Sequence, residues 1–378
     1  LEPPKQTFFL LGPRGTGKTT WLGTHFARAH QVDLLEEERY HRYLADAAAF
    51  GRELEALPPR TWVVVDEIQR LPVLLNEIHR HIERRGLRFA LTGSTARKLR
   101  RSGVNLLGGR AIELAMHPLA PAELGRDFAL PAALRWGTLP VVLASTDRDA
   151  TLAAYARLYL REEIQNEALV RNLPAFARFL PVAALLHGQV LGVASLARDA
   201  GVARTTVEDY LSVLEDTLVA IRLPAFEARL RVRERAHSKL FWFDPGVVRA
   251  LRGARGVPAA EERGALFEGL VLGLLRLYRD LGRLDAEGLG YWAPGGAAQT
   301  EVDFVVSRGR EHVAIEVKSA PTARDEHMRG LRAIAPLKGL VRRVLVHAGT
   351  ERGRTPDGID VRGLAELAHE LHGGTLFP

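Results

Sequence analysis

The sequence contains no cysteine, so neither a disulfide framework nor a thiolate metal site can support its fold. It has no run of about eighteen apolar residues that could cross a bilayer as a helix, and nothing in it resembles a secretory leader. Lysine is nearly absent as well. Of the 52 basic residues, only Lys5, Lys18, Lys98, Lys239, Lys318 and Lys338 are lysine. In a chain that uses arginine almost everywhere, each remaining lysine marks a place where a compact ammonium is wanted. These absences lead to the expectation of a cytoplasmic protein without a membrane partner. What is present is a 378-residue chain, 47% hydrophobic, long enough for two or three domains. Its net charge of +7 favours a polyanionic partner.

The stretch GPRGTGKTT, Gly12 to Thr20, fits the pattern of a phosphate-binding loop. The apolar run Phe8 to Leu11 before it reads as a buried strand, and Trp21, Leu22 and Phe26 after it recur at helical spacing. Strand, glycine turn and helix is the order the chemistry needs. Backbone N–H groups of Gly12, Arg14, Gly15, Thr16, Gly17 and Thr20 curl round phosphate oxygens at a helix N-terminus. Lys18 reaches the terminal phosphates and Thr19 ligates Mg²⁺, so ATP with Mg²⁺ is the expected cofactor. Trp62 to Glu67 is a strand-forming run ending in two acids, in which Asp66 completes the Mg²⁺ shell and Glu67 orients the attacking water. A further strand, Phe89 to Leu91, delivers Thr92 or Ser94 towards the γ-phosphate.

Leu91 to Ser94, Gly108-Gly109-Arg110, Met116 to Leu119 and Trp136 to Pro140 together resemble the bacterial and archaeal AAA+-type ATPases that carry a C-terminal DUF4143 domain. The resemblance implies Ser94 or Thr92 as the first sensor. It also implies a homo-oligomer in which Arg110 acts as an arginine finger on a neighbouring subunit.

Beyond about residue 120 the pattern turns helical. Ala194 to Val202, then Ala203 to Leu211, reads as helix, glycine turn, helix, with Ala197, Gly201 and Val207 where two crossing helices meet. The same packing serves protein-binding winged helices, and Glu208, Asp209, Glu215 and Asp216 disfavour deep entry into a major groove. Arg229, Arg231, Arg233 and Arg235 alternate, so a strand there would place four guanidinium groups on one face. With Arg204 they form a candidate grip on DNA phosphates, although a charged edge strand would look the same.

Lys239 to Asp244 resembles the DUF4143 signature of lysine, aromatic strand and aspartate, and Gly264 to Tyr278 reads as a long apolar helix bearing Glu268. In TEVDFVVSRGREHVAIEVK, Thr300 to Lys318, a hairpin tip at Gly309-Arg310 would pair Val302 with Val317, Phe304 with Ile315 and Val306 with Val313 on one apolar face. On the other face Asp303 would meet Glu316, and Glu301 would meet Lys318. Directly opposed carboxylates repel unless a cation lies between them. Asp303, Glu316 and Lys318 match the PD-(D/E)XK nuclease pattern, to which the DUF4143 resemblance also leads. A second Mg²⁺ or Mn²⁺ would be held by Asp303, Glu316 and Glu268, with Lys318 steadying charge at phosphorus.

The expected fold class is thus α/β. A P-loop AAA+-like ATPase core with a parallel sheet spans 1–120, and a helical lid or linker spans 121–180. A winged helix-turn-helix follows over 181–238, and a PD-(D/E)XK nuclease-like domain over 239–378. The expected function is ATP-driven remodelling or processing of DNA, branched or junction forms included. The alternative is a nucleotide-controlled switch or binding platform that neither cuts nor translocates.

Overall fold

The computed structural model describes residues 1–93, 107–159, 172–228, 234, 236–294 and 300–378, without the side chains of 158 and 159. Ser94, Arg229, Arg231, Arg233 and Arg235 lie outside the described residues. The chain divides into two compact units, Leu1–His117 with Asp216–Leu218, and Pro118–Glu215 with Val219–Pro378. Among the described residues no helix is long and apolar enough to cross a membrane.

The first unit is built on five parallel strands, β1 (Phe8–Leu11), β2 (His30–Asp33), β3 (Trp62–Asp66), β4 (Arg88–Gly93) and β5 (Ile112–Ala115), in the order β2-β3-β4-β1-β5. Central strands buried on both faces need apolar residues at every position, and FFLL and WVVV supply them. Alternate residues serve opposite faces. Phe9, Leu11, Val63, Val65, Phe89 and Leu91 pack with the helices Ala47–Glu55 and Leu74–Arg85, whereas Phe8, Leu10, Val64 and Ala90 pack with Leu22 and Phe26. Glycine is obligatory at position 12, because a Cβ there would collide with the backbone carbonyl of Met116.

The second unit contains a small antiparallel sheet of β6 (Gln189–Val190), β7 (Ala220–Leu223) and β8 (Lys239–Trp242), in the order β6-β8-β7. Beside it run the helices Val193–Ala200 and Arg204–Asp216, turned at Gly201 with φ 65°. A mixed six-stranded sheet is formed by β9 (Gly288–Trp292), β10 (Val302–Arg308), β11 (Glu311–Lys318), β12 (Leu340–His347), β13 (Gly353–Arg354) and β14 (Asp360–Gly363), ordered β13-β14-β12-β11-β10-β9. One hydrophobic cluster runs from Ala120 to Phe377 through both sheets and the long helix Ala260–Asp280. The segments expected as separate domains beyond residue 120 therefore share a core, and β8 lies in one sheet with β6 and β7, across the boundary expected at 238.

Two buried polar groups fix β8. His187 Nε2 donates to the Ala265 carbonyl at 3.0 Å while its Nδ1 accepts from Trp242 N at 3.1 Å, wiring that requires the neutral imidazole. Burial pushes its pKa down to about 4. Asp244 caps the helix Pro245–Leu251, accepting from Val247 N at 3.1 Å and Thr138 N at 2.8 Å, and burial raises its pKa to about 6.

The hairpin pairs Phe304 with Ile315 and Val306 with Val313, as the sequence leads one to expect. Val302 departs from expectation. Three steps along β10, Val302 to Val305, lie against two along β9, Trp292 to Gly290, so β10 carries an extra residue. Such a bulge reverses the alternation. Val302 consequently shares a cluster with Val305, Ala314 and Trp292, while Phe304, Val306, Ile315 and Val317 belong to the other.

Candidate functional site

In the first unit the strand order β3-β4-β1 brings the ends of three strands together. The loop after β1 turns through Gly15 at φ 80° and Gly17 at φ 93°, left-handed conformations that side chains resist, and Gly17 caps the helix Lys18–His25. Thr16 Oγ1 donates to the Pro13 carbonyl at 2.8 Å. Lys18 is buried, its Nζ donating to the carbonyls of Gly12 at 2.7 Å and Pro13 at 3.1 Å. Thr19 and Thr20 are exposed on the first turn of the helix.

Asp66, at the end of β3, accepts from Thr19 Oγ1 at 3.1 Å and from Thr92 Oγ1. Thr92 Oγ1 in turn accepts Glu67 N–H at 3.1 Å. That bond steadies Glu67 at φ 58°, a left-handed backbone that costs a non-glycine residue about 1 kcal/mol or more. Gln69 Nε2 donates to the Glu67 carboxylate. A hydroxyl and a carboxylate side by side are hard oxygen donors, so Thr19 and Asp66 fit Mg²⁺. Sequence reasoning left Thr92 and Ser94 as alternatives; Thr92 is fully buried at the centre of this network. Gln69 carried no signal beyond lying two residues after Glu67. Arg110 is tied to Glu83 and to the Gly108 carbonyl within its own chain, so a finger role would require that pair to open.

In the second unit, residues 239, 268, 301, 303, 316 and 318 converge. Lys239 Nζ lies 3.0 Å from Glu268 Oε1, 3.0 Å from Glu301 Oε1 and 3.8 Å from Asp303 Oδ1, and 5.2 Å from the centre of the Tyr291 ring. Lys318 Nζ donates to Glu316 Oε1, and Asp303 Oδ2 accepts Val317 N–H at 2.7 Å. Glu301, expected opposite Lys318, is bonded to Lys239 instead, just before β10 begins at Val302. Lys239, Asp303 and Glu316 are all 4% exposed or less, so charge here is poorly screened.

Four carboxylates and two ammonium groups leave an excess of negative charge. Burial raises the Glu268 pKa to about 8, with Asp303 adding to the rise and Lys239 opposing it. Burial likewise raises Asp303, and burial together with Asp303 holds Glu316 well above the ordinary range. For both lysines burial pulls downward, but the surrounding carboxylates outweigh it and the net shift is upward.

Among the described residues no three His, Asp or Glu side chains are grouped to hold a metal ion. Glu268, expected as a ligand, is held by Lys239. Glu316 Oε2 is buried with no hydrogen-bond partner, a hard oxygen donor of the kind a divalent ion takes, whereas the Asp303 oxygens face Val317 N–H and Lys239. Sequence reasoning missed Lys239 as a member of the cluster, although the scarcity of lysine pointed to it, and gave Glu301 the wrong partner.

Of the candidate DNA contacts, Arg204 is described, exposed at the start of its helix. Arg222 on β7 bonds Glu208 at 2.9 Å and Glu215 at 2.5 Å, offsetting two of the acids on that helix.

A parallel α/β unit with a glycine loop, a lysine and paired acids at its strand ends belongs to the P-loop nucleotide-binding class. An AAA domain model matches residues 4–125, a domain of unknown function, DUF8612, matches 128–257, and DUF4143, also of unknown function, matches 263–367. The chain thus matches an AAA domain in its N-terminal part and DUF4143 in its C-terminal part. Uncharacterized proteins of Mycobacterium bovis and Mycobacterium tuberculosis are each 27% identical to it over 351 residues, 91% of this chain and 76% of theirs. A structure of the replication initiator DnaA bound to AMPPCP and single-stranded DNA is similar at 15% identity over 56% of this chain and 82% of that one, with a TM-score of 0.28.

Proposed function

We propose that the chain hydrolyses ATP with Mg²⁺ in its first unit and uses nucleotide state to remodel or process DNA held by its second. The observation that carries the first half is the convergence of Thr19 and Thr92 on Asp66, beside Lys18 and next to Glu67. Mg²⁺, when bound, supplies charge neutralisation of the phosphates, with Thr19 and Asp66 as its holders. Lys18 exchanges its bonds to the Gly12 and Pro13 carbonyls for terminal phosphate oxygens. Backbone N–H groups between Gly12 and Thr20 other than at Pro13, Arg14 among them, close round the remaining oxygens. Glu67, released from Gln69, accepts a proton from the attacking water. In a homo-oligomer, Ser94 would stand near the γ-phosphate, and Arg110 would reach the next subunit's nucleotide.

DNA is supported by the net charge of +7 and by the helix-turn-helix geometry, with Arg204 and the 229–235 arginines as phosphate contacts. Asp303 and Glu316 would hold the second divalent ion of a PD-(D/E)XK-like site, with Lys318 adjacent. A switch that binds without cutting is favoured by one feature: Lys239 already claims Glu268 and Glu301. The deciding experiment measures ATP turnover with single-stranded, duplex, forked and junction DNA in Mg²⁺ or Mn²⁺, scoring cleavage in parallel. DNA that leaves turnover unchanged removes the coupling. Glu316→Ala and Lys318→Ala variants that keep every DNA-dependent activity lost in Lys18→Ala remove cutting and leave the switch.

A further inference from the structure

The second unit holds a cavity of about 560 Å³ that neither site uses, between the helices Leu130–Trp136, Arg148–Ala154 and Pro245–Leu251. Its volume is ordinary for a small-molecule site. Small residues line it, Ala150, Ala153 and Ala250 on the helices and Gly253 just beyond one, where larger side chains would fill the space. Four guanidinium groups, Arg135, Arg157, Arg249 and Arg255, line it against two carboxylates, Asp147 and Asp149.

These charges are unevenly matched. Arg135 bonds Asp149 at 3.1 Å and stacks 4.2 Å from the Trp136 ring centre, but its Nε is buried without a hydrogen-bond partner. Arg249, 3% exposed, is engaged by Glu262 at 3.3 Å and by the carbonyls of Arg135 and Arg255. Asp147 accepts Ala150 N–H at 2.9 Å and so caps its own helix. Arg157 and Arg255 have no ion-pair partner among the described residues, and both are exposed at the cavity. Arg157 spends its Nε on the Ala153 carbonyl at 3.3 Å, which leaves its terminal nitrogens available. Two guanidinium groups without a carboxylate partner, lining the same cavity as a third with an unused N–H, form a receptor for tetrahedral, doubly charged oxyanions, which guanidinium forks bind in bidentate fashion. The lining carboxylates Asp147 and Asp149 can accept hydroxyl or amine hydrogens, and they disfavour a bare polyanionic backbone.

We propose that this cavity binds a phosphorylated small molecule of about nucleotide size, with Arg157 and Arg255 taking its phosphate. The site involves none of the residues assigned to ATP or to the carboxylate cluster. The test is isothermal titration of the full chain carrying Lys18→Ala, which weakens the loop in the first unit. The probes are inorganic pyrophosphate, AMP and a short DNA duplex. Saturable binding of pyrophosphate or AMP is expected, weakened at least about tenfold by Arg157→Ala with Arg255→Ala, since two charge-assisted contacts are lost. Both arginines are exposed, and circular dichroism checks the fold. Ala153→Leu, which narrows the cavity and removes no charge, is expected to weaken AMP more than pyrophosphate. Absence of binding by both small probes overturns the proposal. So does a double variant that binds them as tightly as its parent, or one that loses only DNA.

Discussion

Replacing Lys239 by Met keeps the volume of the stem and removes the ammonium from a cluster of carboxylates. At an effective dielectric constant of about 20, each 3.0 Å contact, to Glu301 and to Glu268 when it is ionised, is an attraction of roughly 5 kcal/mol before desolvation is subtracted. Removing one partner of a buried ion pair leaves a net loss of about 3–5 kcal/mol, and Lys239 at 2% exposure meets that condition. The loss depends on pH with a definite sign. The Glu268 pKa is about 8 in the folded chain and about 4.3 when unfolded, so the folded state binds more protons between these values. Protonation of Glu268 thus contributes stability that is full below about pH 4 and is lost as pH rises through 8. Without Lys239 its folded pKa rises further, so the gap between variant and parent opens as pH rises through about 8 and should be wider at pH 8.5 than at about pH 5. Urea unfolding followed by tryptophan fluorescence at both pH values measures it. A gap below about 1 kcal/mol, or one that is the same at both pH values, would refute the account of Lys239 as the cation of this cluster.

Other perturbations test separate elements. Glu67→Gln should lower ATP turnover by about 100-fold or more while nucleotide binding, read by equilibrium dialysis, persists. Thr92→Val leaves an Asp66 oxygen and the Glu67 N–H without their partner, so it should destabilise the first unit by about 1–3 kcal/mol in thermal unfolding and also slow turnover. Gly137→Ala places a Cβ onto the Asp244 carboxylate at a backbone φ of 72°, and a loss above about 2 kcal/mol is expected in urea. His187 is held neutral with a pKa of about 4 against about 6.5 unfolded, so it contributes stability above pH 6.5 that is lost as pH falls towards 4. His187→Gln should flatten that part of the stability profile.

The first unit was legible because its chemistry is local. A glycine loop between an apolar strand and a helix can be read as a string, and Phe8 to Leu11 and Trp62 to Asp66 form the expected strands. Thr92 was narrowed only to a pair with Ser94, since choosing between them needs the Asp66 hydrogen bond across β3 and β4. The pairing of Phe304 with Ile315 followed from the glycine tip and strand alternation. The face of Val302 did not, because a bulge is set by the neighbouring strand β9 and leaves no mark in β10 itself. Lys239 was noticed for its rarity, but its partners come from 29, 62 and 64 residues away, beyond any periodicity. The single core shared by both sheets was hidden for the same reason, since a helix such as Ala260–Asp280, apolar around most of its surface, signals burial without naming its neighbours.

The extra residue in β10 makes position count a second kind of information beside residue identity. Upstream of it Val302 faces Met328, Leu331 and Ile334; downstream Phe304 and Val306 face the core of the long helix. Deleting one residue there would leave composition almost untouched and turn Val302 over to the opposite face. Glu301 would be carried away from Lys239 in the same movement. The carboxylate cluster is therefore specified by the length of a strand as much as by its acids, and a relative that kept every charged residue but lost this one insertion would not be expected to assemble it.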